Sequence, residues 1–210
     1  IMLSSFSVYM FKPEINFEVP LNPIVGDGFC FPYLVNLTVK KRILGLSHVN
    51  IDVLDDVGIS LLQGYGNVWN LRKKKRIITD HAGLPLLTMR EKKFSWLNTW
   101  KVYRAESSDI NDLLYTVKRS RKIQMTMQLD VFLASNITEE IYDFHVKGNF
   151  TNQSFKVYKG DTLIAEVEER FKLGSIFKGR ENFDLRIYPG VDYAFIVSIL
   201  TTYNEIYGES

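Results

Sequence analysis

The sequence predicts a mainly β protein, in which a closed antiparallel barrel of about twelve short strands surrounds one hydrophobic C-terminal helix. Two observations lead to this fold class. Runs of alternating apolar and polar residues recur along the chain between turn residues, a pattern typical of half-buried strands. Residues 191–207 instead contain an apolar stretch with no polar face, and a helix of that kind must be buried. A sandwich core about 10 Å thick has no room for a helix of similar diameter, whereas a large closed barrel has.

The C-terminal segment carries helix signals at both of its ends. Between residues 193 and 200 only Ser198 is polar. Pro189 and Gly190 end the preceding element, Asp192 is placed to cap the first turn, and Gly208 follows the last one. The run is too short to span a membrane, which needs about 20 apolar residues. A buried strand is the alternative, because three of residues 196–199 are β-branched.

Strands are predicted along most of the remaining chain. Val35, Leu37 and Val39 alternate with polar residues, which is the period of a half-buried strand. Two hairpins are expected around the Asp-x-x-Gly turns at residues 55–58 and 80–83, where Gly supplies the positive φ and Asp caps the turn. Further strands are predicted at residues 100–104, 113–118, 124–134, 143–147, 155–158, 162–173 and 183–188.

The composition is that of one globular domain. The 210 residues are 46% hydrophobic and 13% aromatic, with a formal net charge of +2, so no strong overall field predicts nucleic-acid binding. Residues 1–21 contain Pro13 and Pro20 and no clean period, and we expect a partly disordered N-terminal arm there, followed by a single domain over residues 22–210. The single cysteine, Cys30, cannot form an internal disulfide and indicates a reducing compartment. Without a signal peptide or transmembrane run, we expect a cytoplasmic protein, peripheral at the plasma membrane or nuclear.

Several sequence segments, spread from about residue 25 to residue 205, together match a known family pattern. They are Phe29-Cys30-x-Pro32-Tyr33 with Leu37-Thr38-Val39-Lys40, Trp100-x-Val102-Tyr103-Arg104-x-Glu106-Ser107-Ser108-Asp109, Val117-Lys118-Arg119-Ser120, Asp130-Val131-Phe132-Leu133-Ala134, Val146-Lys147-Gly148 and Tyr188-Pro189-x-Val191-Asp192-Tyr193-Ala194-Phe195-Ile196-Val197. As a set they resemble the plant LURP-one-related family, which has the tubby C-terminal fold and is distantly similar to phospholipid scramblases. The resemblance implies twelve strands around a central helix. It also implies phosphoinositide head-group binding, a link to plant defence and no enzymatic activity.

No catalytic or metal-binding pattern is present in the sequence. His48, His81 and His145 are far apart and belong to no metal-ligand motif. Cys30 lies between two phenylalanines with no basic neighbour to lower its pKa. We therefore expect a non-enzymatic protein without catalytic residues, metal or cofactor.

Clusters of basic residues are the main functional signal: two that we assign to a site, and a third group of Arg90, Lys92 and Lys93. The two assigned to a site are Arg72, Lys73, Lys74, Lys75 and Arg76, and Lys118, Arg119, Arg121 and Lys122. Strand alternation would send neighbouring charges to opposite faces, so the run of five is predicted to lie in an exposed hairpin connection. Four interpretations of such a run remain open: a solvated turn, a nuclear localisation signal, a nucleic-acid contact or a site for anionic lipid head groups.

The family resemblance favours lipid among these readings. The sequence therefore predicts a regulatory domain that binds anionic phospholipid or phosphoinositide peripherally through the two basic clusters, with nucleic acid unlikely as a ligand. The alternative is a scaffold for an unknown protein partner or a membrane-tethered, transcription-linked factor.

Overall fold

A computed structural model of the chain describes residues 22–44, 48–67, 74–92, 95, 97–120, 127–149, 154–170 and 180–208. The arm expected over residues 1–21 lies outside the described residues. The strands are β1 Val35–Leu44, β2 His48–Leu54, β3 Ser60–Asn67, β4 Lys75–Asp80, β5 Pro85–Glu91, β6 Trp100–Arg104, β7 Leu113–Arg119, β8 Gln128–Leu133, β9 Phe144–Gly148, β10 Phe155–Lys159, β11 Thr162–Glu169 and β12 Arg180–Ile187. Short 3₁₀ helices lie at Asp27–Phe29 and Ile110–Asp112, and the α-helix α1 is Tyr193–Tyr207.

The strands form one closed antiparallel barrel in sequence order, which confirms the predicted fold class. Each strand pairs with the next one along the chain, and β1 pairs with β12 to close the ring. The strand predicted at 162–173 is described only to Glu169, and residues 171–173 lie outside the described part of the chain. In the closed ring, each of the twelve described strands is paired on both sides, so none of them offers a free edge to another chain.

The helix α1 fills the barrel lumen. Leu37 and Val39 of β1 are buried, as are their counterparts on the other strands, and they join one core cluster with the helix residues. Phe195 and Ile199 are 0% exposed. The segment is the α-helix Tyr193–Tyr207, so the alternative of a buried strand is wrong. Among the described residues no helix has the length and apolarity that a bilayer crossing requires.

Asp192 joins the start of α1 to the segment that precedes β1. Its Oδ1 accepts a hydrogen bond from the Phe195 amide at 3.0 Å, as the predicted N-cap does. Its Oδ2 accepts from the amides of Ile24, Val25 and Gly26 at 3.1, 2.7 and 3.2 Å. The carboxylate is completely buried, so its charge is balanced by backbone N–H dipoles. These hydrogen bonds hold the segment before β1 against the start of α1.

A polar pair inside the lumen fixes the rotation of α1 about its axis. The hydroxyl groups of Tyr115 on β7 and Ser198 on α1 are hydrogen-bonded, and burial raises the pKa of Tyr115. The Tyr115 ring also meets Phe195 edge-on, with centroids 5.2 Å apart. The single polar residue in the apolar run therefore has a partner, as a buried hydroxyl requires.

Candidate functional site

The topology places alternate connections at opposite ends of the barrel. Because consecutive strands are antiparallel, β1–β2, β3–β4 and every second connection after them lie at one end, and the others lie at the opposite end. The helix begins directly after β12 and runs toward the first of these ends, where the Tyr207 hydroxyl donates to the Gln128 carbonyl at 3.0 Å.

In sequence, the two sets of connections carry charges of opposite sign, and two acids of one set, Glu106 and Glu139, pair in the folded chain with Lys75 and Lys118 near the other end. At the end where α1 finishes, the connecting segments contain no Asp or Glu, and we call this the basic end. Its described cations in the connections are Lys74, Lys92 and Arg170, while Arg72, Lys73, Lys93, Arg121, Lys122, Lys172 and Lys178 belong to stretches outside the described residues. At the end where α1 starts, which we call the acidic end, the connections contain no Lys or Arg. Its acids in the connections are Asp27, Asp55, Asp56, Glu106, Asp109, Asp112, Glu139, Glu140, Asp143, Asp161 and Asp192. The net charge of +2 hides this separation.

Inward-facing charges at the basic end are neutralised by the fold. Arg76 is only 5% exposed, and its Nε and Nη2 donate to Oε1 of Glu205 on α1 at 2.8 and 2.7 Å. Gly66, its cross-strand partner, makes room for it, since a methyl group there would lie 2.4 Å from Arg76 Cδ. The prediction that Arg76 lies in an exposed connection is therefore wrong.

A second inward ion pair lies at the mouth of the lumen. Lys41 on β1 and Glu181 on β12 are 2.6 Å apart. Nearby, burial and the charge of Glu181 raise the pKa of Glu169, which favours its neutral form. The Lys41–Glu181 ion pair links β1 to β12. The other cations of the basic end lie on the outer wall, at the lumen mouth and in the connections.

Three outward cations form a row across neighbouring strands at the basic end. Lys75 on β4 is directly opposite Arg90 on β5, and Arg90 is directly opposite Lys101 on β6. Like charges placed opposite each other on a sheet repel. Lys75 is paired with Glu106 at 2.5 Å, and both Lys75 and Arg90 lower the pKa of that carboxyl. The buried Arg90 Nε has no hydrogen-bond partner among the described residues. We call Lys75, Arg90 and Lys101 the cationic row.

Strand β7 separates the two basic residues with which it ends. Lys118 points outward, where its Nζ pairs with Glu139 and lies 5.1 Å from the centre of the Phe132 ring. Arg119 points toward the lumen mouth, with its guanidinium 5.5 Å from the centre of the Tyr207 ring. The two residues therefore cannot present one joint surface.

Comparison with known proteins places the chain in a family. The family model described as LURP-one-related matches residues 35–204. The chain belongs to the LURP-one-related family. It is 40% identical to Protein LURP-one-related 14 of Arabidopsis thaliana over 92% of the chain and 95% of that protein. It is 36% identical to Protein LURP1 of the same plant over 87% and 89% of the two chains. An Arabidopsis thaliana protein solved by X-ray crystallography is 32% identical, with a TM-score of 0.66 over 88% of this chain and 98% of that one.

In this LURP-one-related barrel, the structure brings part of the predicted site together. Lys74 and Lys75 lie beside each other at the start of β4, and Lys118 and Arg119 end β7 at the same end of the barrel. Arg72, Lys73, Arg121 and Lys122 lie outside the described residues. Lys101 was not predicted as a site residue. Its outward position in the alternating strand 100–104 could have indicated it. Its place in the row depends on strand pairing, which the local sequence does not contain.

The two histidines of this family member whose side chains are described lie in different parts of the barrel. His145 is buried on the outer wall, with its Nδ1 2.9 Å from Asp130 Oδ1 and its ring stacked on Tyr142. His81 lies in the exposed β4–β5 turn, and the side chain of His48 is outside the described part. Within the described residues there is no group of His, Cys, Asp and Glu side chains arranged to hold a metal ion.

Proposed function

We propose that this LURP-one-related chain is a non-enzymatic regulatory domain that binds anionic membrane lipids, phosphoinositides among them, peripherally through its basic end. The observation that carries the proposal is the separation of charge, because every charged residue in the connections at this end is Lys or Arg. Each Lys or Arg near an anionic leaflet contributes about 1 kcal/mol to binding. In accordance with the resemblance to a plant defence family, we place this regulation in defence signalling.

The cationic row supplies the contact for a phosphate group. Arg90 and Lys101 lie between two outward lysines, Lys75 and Lys118, that are already paired with Glu106 and Glu139. A phosphate dianion set over Arg90 and Lys101 would relieve the repulsion between them. The flanking carboxylates would discourage a second anion beside it, so the row favours one head group in one place.

The state of Cys30 supports a non-enzymatic role. Burial raises the pKa of its thiol to about 11, and the charges of Asp192 and Asp27 add to this effect. At neutral pH almost none of the thiol is therefore ionised, and the thiolate is the nucleophilic form.

Liposome flotation tests the lipid proposal. The parent protein is expected to float with vesicles of phosphatidylcholine that contain phosphatidylserine or a phosphoinositide, and to stay behind with pure phosphatidylcholine. Lys92→Glu with Lys101→Glu removes one exposed cation of the β5–β6 connection and one of the cationic row, which alone costs about 2 kcal/mol, or roughly thirtyfold in affinity. Binding should also weaken as salt shortens the Debye length from about 10 Å at 0.1 M to about 3 Å at 1 M.

Lys159→Glu with Arg186→Glu is the matched control, because it makes the same change in net charge at exposed residues near the acidic end of β10 and β12. It should float like the parent. Arg76 is left unchanged in both variants, since its ion pair with Glu205 belongs to the fold. If the parent ignores anionic vesicles at low salt, the lipid proposal fails and the scaffold alternative takes its place. If both double variants lose binding equally, the ligand recognises net charge and not the basic end.

A further inference from the structure

Two neighbouring hairpin turns at the acidic end have the same construction. In the β2–β3 turn, Asp55 Oδ1 accepts hydrogen bonds from the amides of Val57 and Ile59 at 3.1 and 2.7 Å. In the β4–β5 turn, Asp80 Oδ1 accepts from Ala82 and Leu84 at 2.9 and 2.8 Å. Gly58 and Gly83 occupy the left-handed region in both turns, with φ of 89° and 84°. Both loops are therefore held in one conformation.

These turns present large apolar side chains to solvent. Ile59 and Leu84 occupy equivalent positions just after the glycine and are 61% and 64% exposed. Val57 in the first turn and Ile110 in the β6–β7 connection are also exposed. Because β3 pairs with β4 and β5 with β6, successive turns lie about 10 Å apart along the rim. We call Val57, Ile59, Leu84 and Ile110 the apolar rim.

Two exposed carboxylates, Asp56 and Asp109, lie next to apolar rim residues in the chain, and Arg104, which ends β6 at this end, donates to the Val25 carbonyl at 2.9 Å. Asp56 precedes Val57, Asp109 precedes Ile110, and none of the connections at this end contains Lys or Arg. Exposed apolar groups on rigid turns are typical of interaction surfaces. An anionic leaflet would repel this end, so the apolar groups do not fit insertion into such a membrane.

We propose that the apolar rim docks a basic segment of a partner protein in which apolar side chains are interspersed with Lys or Arg. The apolar residues would cover Ile59 and Leu84, while the cations would meet the neighbouring carboxylates. Charge complementarity would speed the encounter, and burial of the rim would hold the complex. The proposal does not depend on lipid binding, because the two surfaces lie at opposite ends of the barrel.

Fluorescence anisotropy with a labelled 12-residue peptide of alternating Lys and Leu tests this inference. The parent should bind this peptide, and bind more weakly a peptide in which Ser replaces Leu or Glu replaces Lys. Ile59→Ser with Leu84→Ser should weaken binding by about tenfold or more, since it removes the apolar contact. Asp56→Lys should weaken it as well, with a reduced dependence on salt.

Tyr65→Ser is the matched control, because Tyr65 is an exposed large side chain on the wall of β3, away from the rim. It should bind like the parent, and all variants should keep the parent melting temperature. Equal affinity of the rim double variant and the parent would overturn the proposal, as would equal binding of the Lys–Ser peptide. Sedimentation velocity is the second measurement: self-association of the parent that the rim double variant abolishes would make a second copy the occupant and refute the partner segment.

Discussion

Ala194→Asp is expected to prevent folding. Ala194 lies in the first turn of α1, is 0% exposed and belongs to the core cluster shared by helix and barrel. An unpaired carboxyl group at that position costs several kcal/mol, against a total stability of about 5 to 15 kcal/mol for a domain. The variant should lose the cooperative thermal transition seen by circular dichroism in the parent.

Ala134→Asp is the control for this prediction, because Ala134 is exposed in the β8–β9 connection and should accept the same change with little loss of stability. A soluble Ala194→Asp protein with the far-ultraviolet spectrum and the cooperative melt of the parent would mean that the barrel folds without a filled lumen.

Asp192→Ala should have the second largest effect. The carboxylate accepts from four backbone amides, three of them in the segment before β1 and one in α1. Removing it leaves buried donors without partners, each at about 1 to 3 kcal/mol, although relaxation and water recover part of this. We expect a loss of at least about 3 kcal/mol in the free energy of unfolding, measured by urea titration.

Asp192→Asn should fall between the parent and Asp192→Ala, because one amide oxygen can still accept. Asp161→Ala removes an exposed carboxylate from the β10–β11 turn and should be nearly neutral. If Asp192→Ala and Asp161→Ala had the same small effect, the hydrogen bonds from backbone amides to Asp192 would not be what holds the segment before β1 against α1.

The features that depend on local pattern were predictable from the sequence. The strand Trp100–Arg104 was predicted at its observed bounds, since alternation and flanking turn residues are both local. The N-cap Asp192 and the C-terminal Gly208 are local signals as well. In the same way, the Asp-x-x-Gly turns before Ile59 and Leu84 were recognised from four residues each.

The features that depend on distant partners were not predictable. Nothing within the run of five cations distinguishes Arg76 from its neighbours, because its burial depends on Glu205, 129 residues further along the chain. To predict the separation of charge between the two ends, one must know the number of strands as well as the positions of the charged residues. Once twelve antiparallel strands are established, alternate connections must share an end, so Lys75 on β4 and Lys118 on β7 lie toward the same end of the barrel.

Membrane contact through the basic end is tested most directly by measuring how the barrel is oriented on a membrane. In a Cys30→Ala background, a fluorophore is attached to Lys92→Cys at the basic end or to Ala82→Cys at the acidic end, both exposed positions, and quenching is measured with brominated anionic vesicles. Binding through the basic end should give strong quenching at position 92 and none at position 82. Equal quenching at both positions, or quenching at 82 alone, would contradict a membrane contact through the basic end.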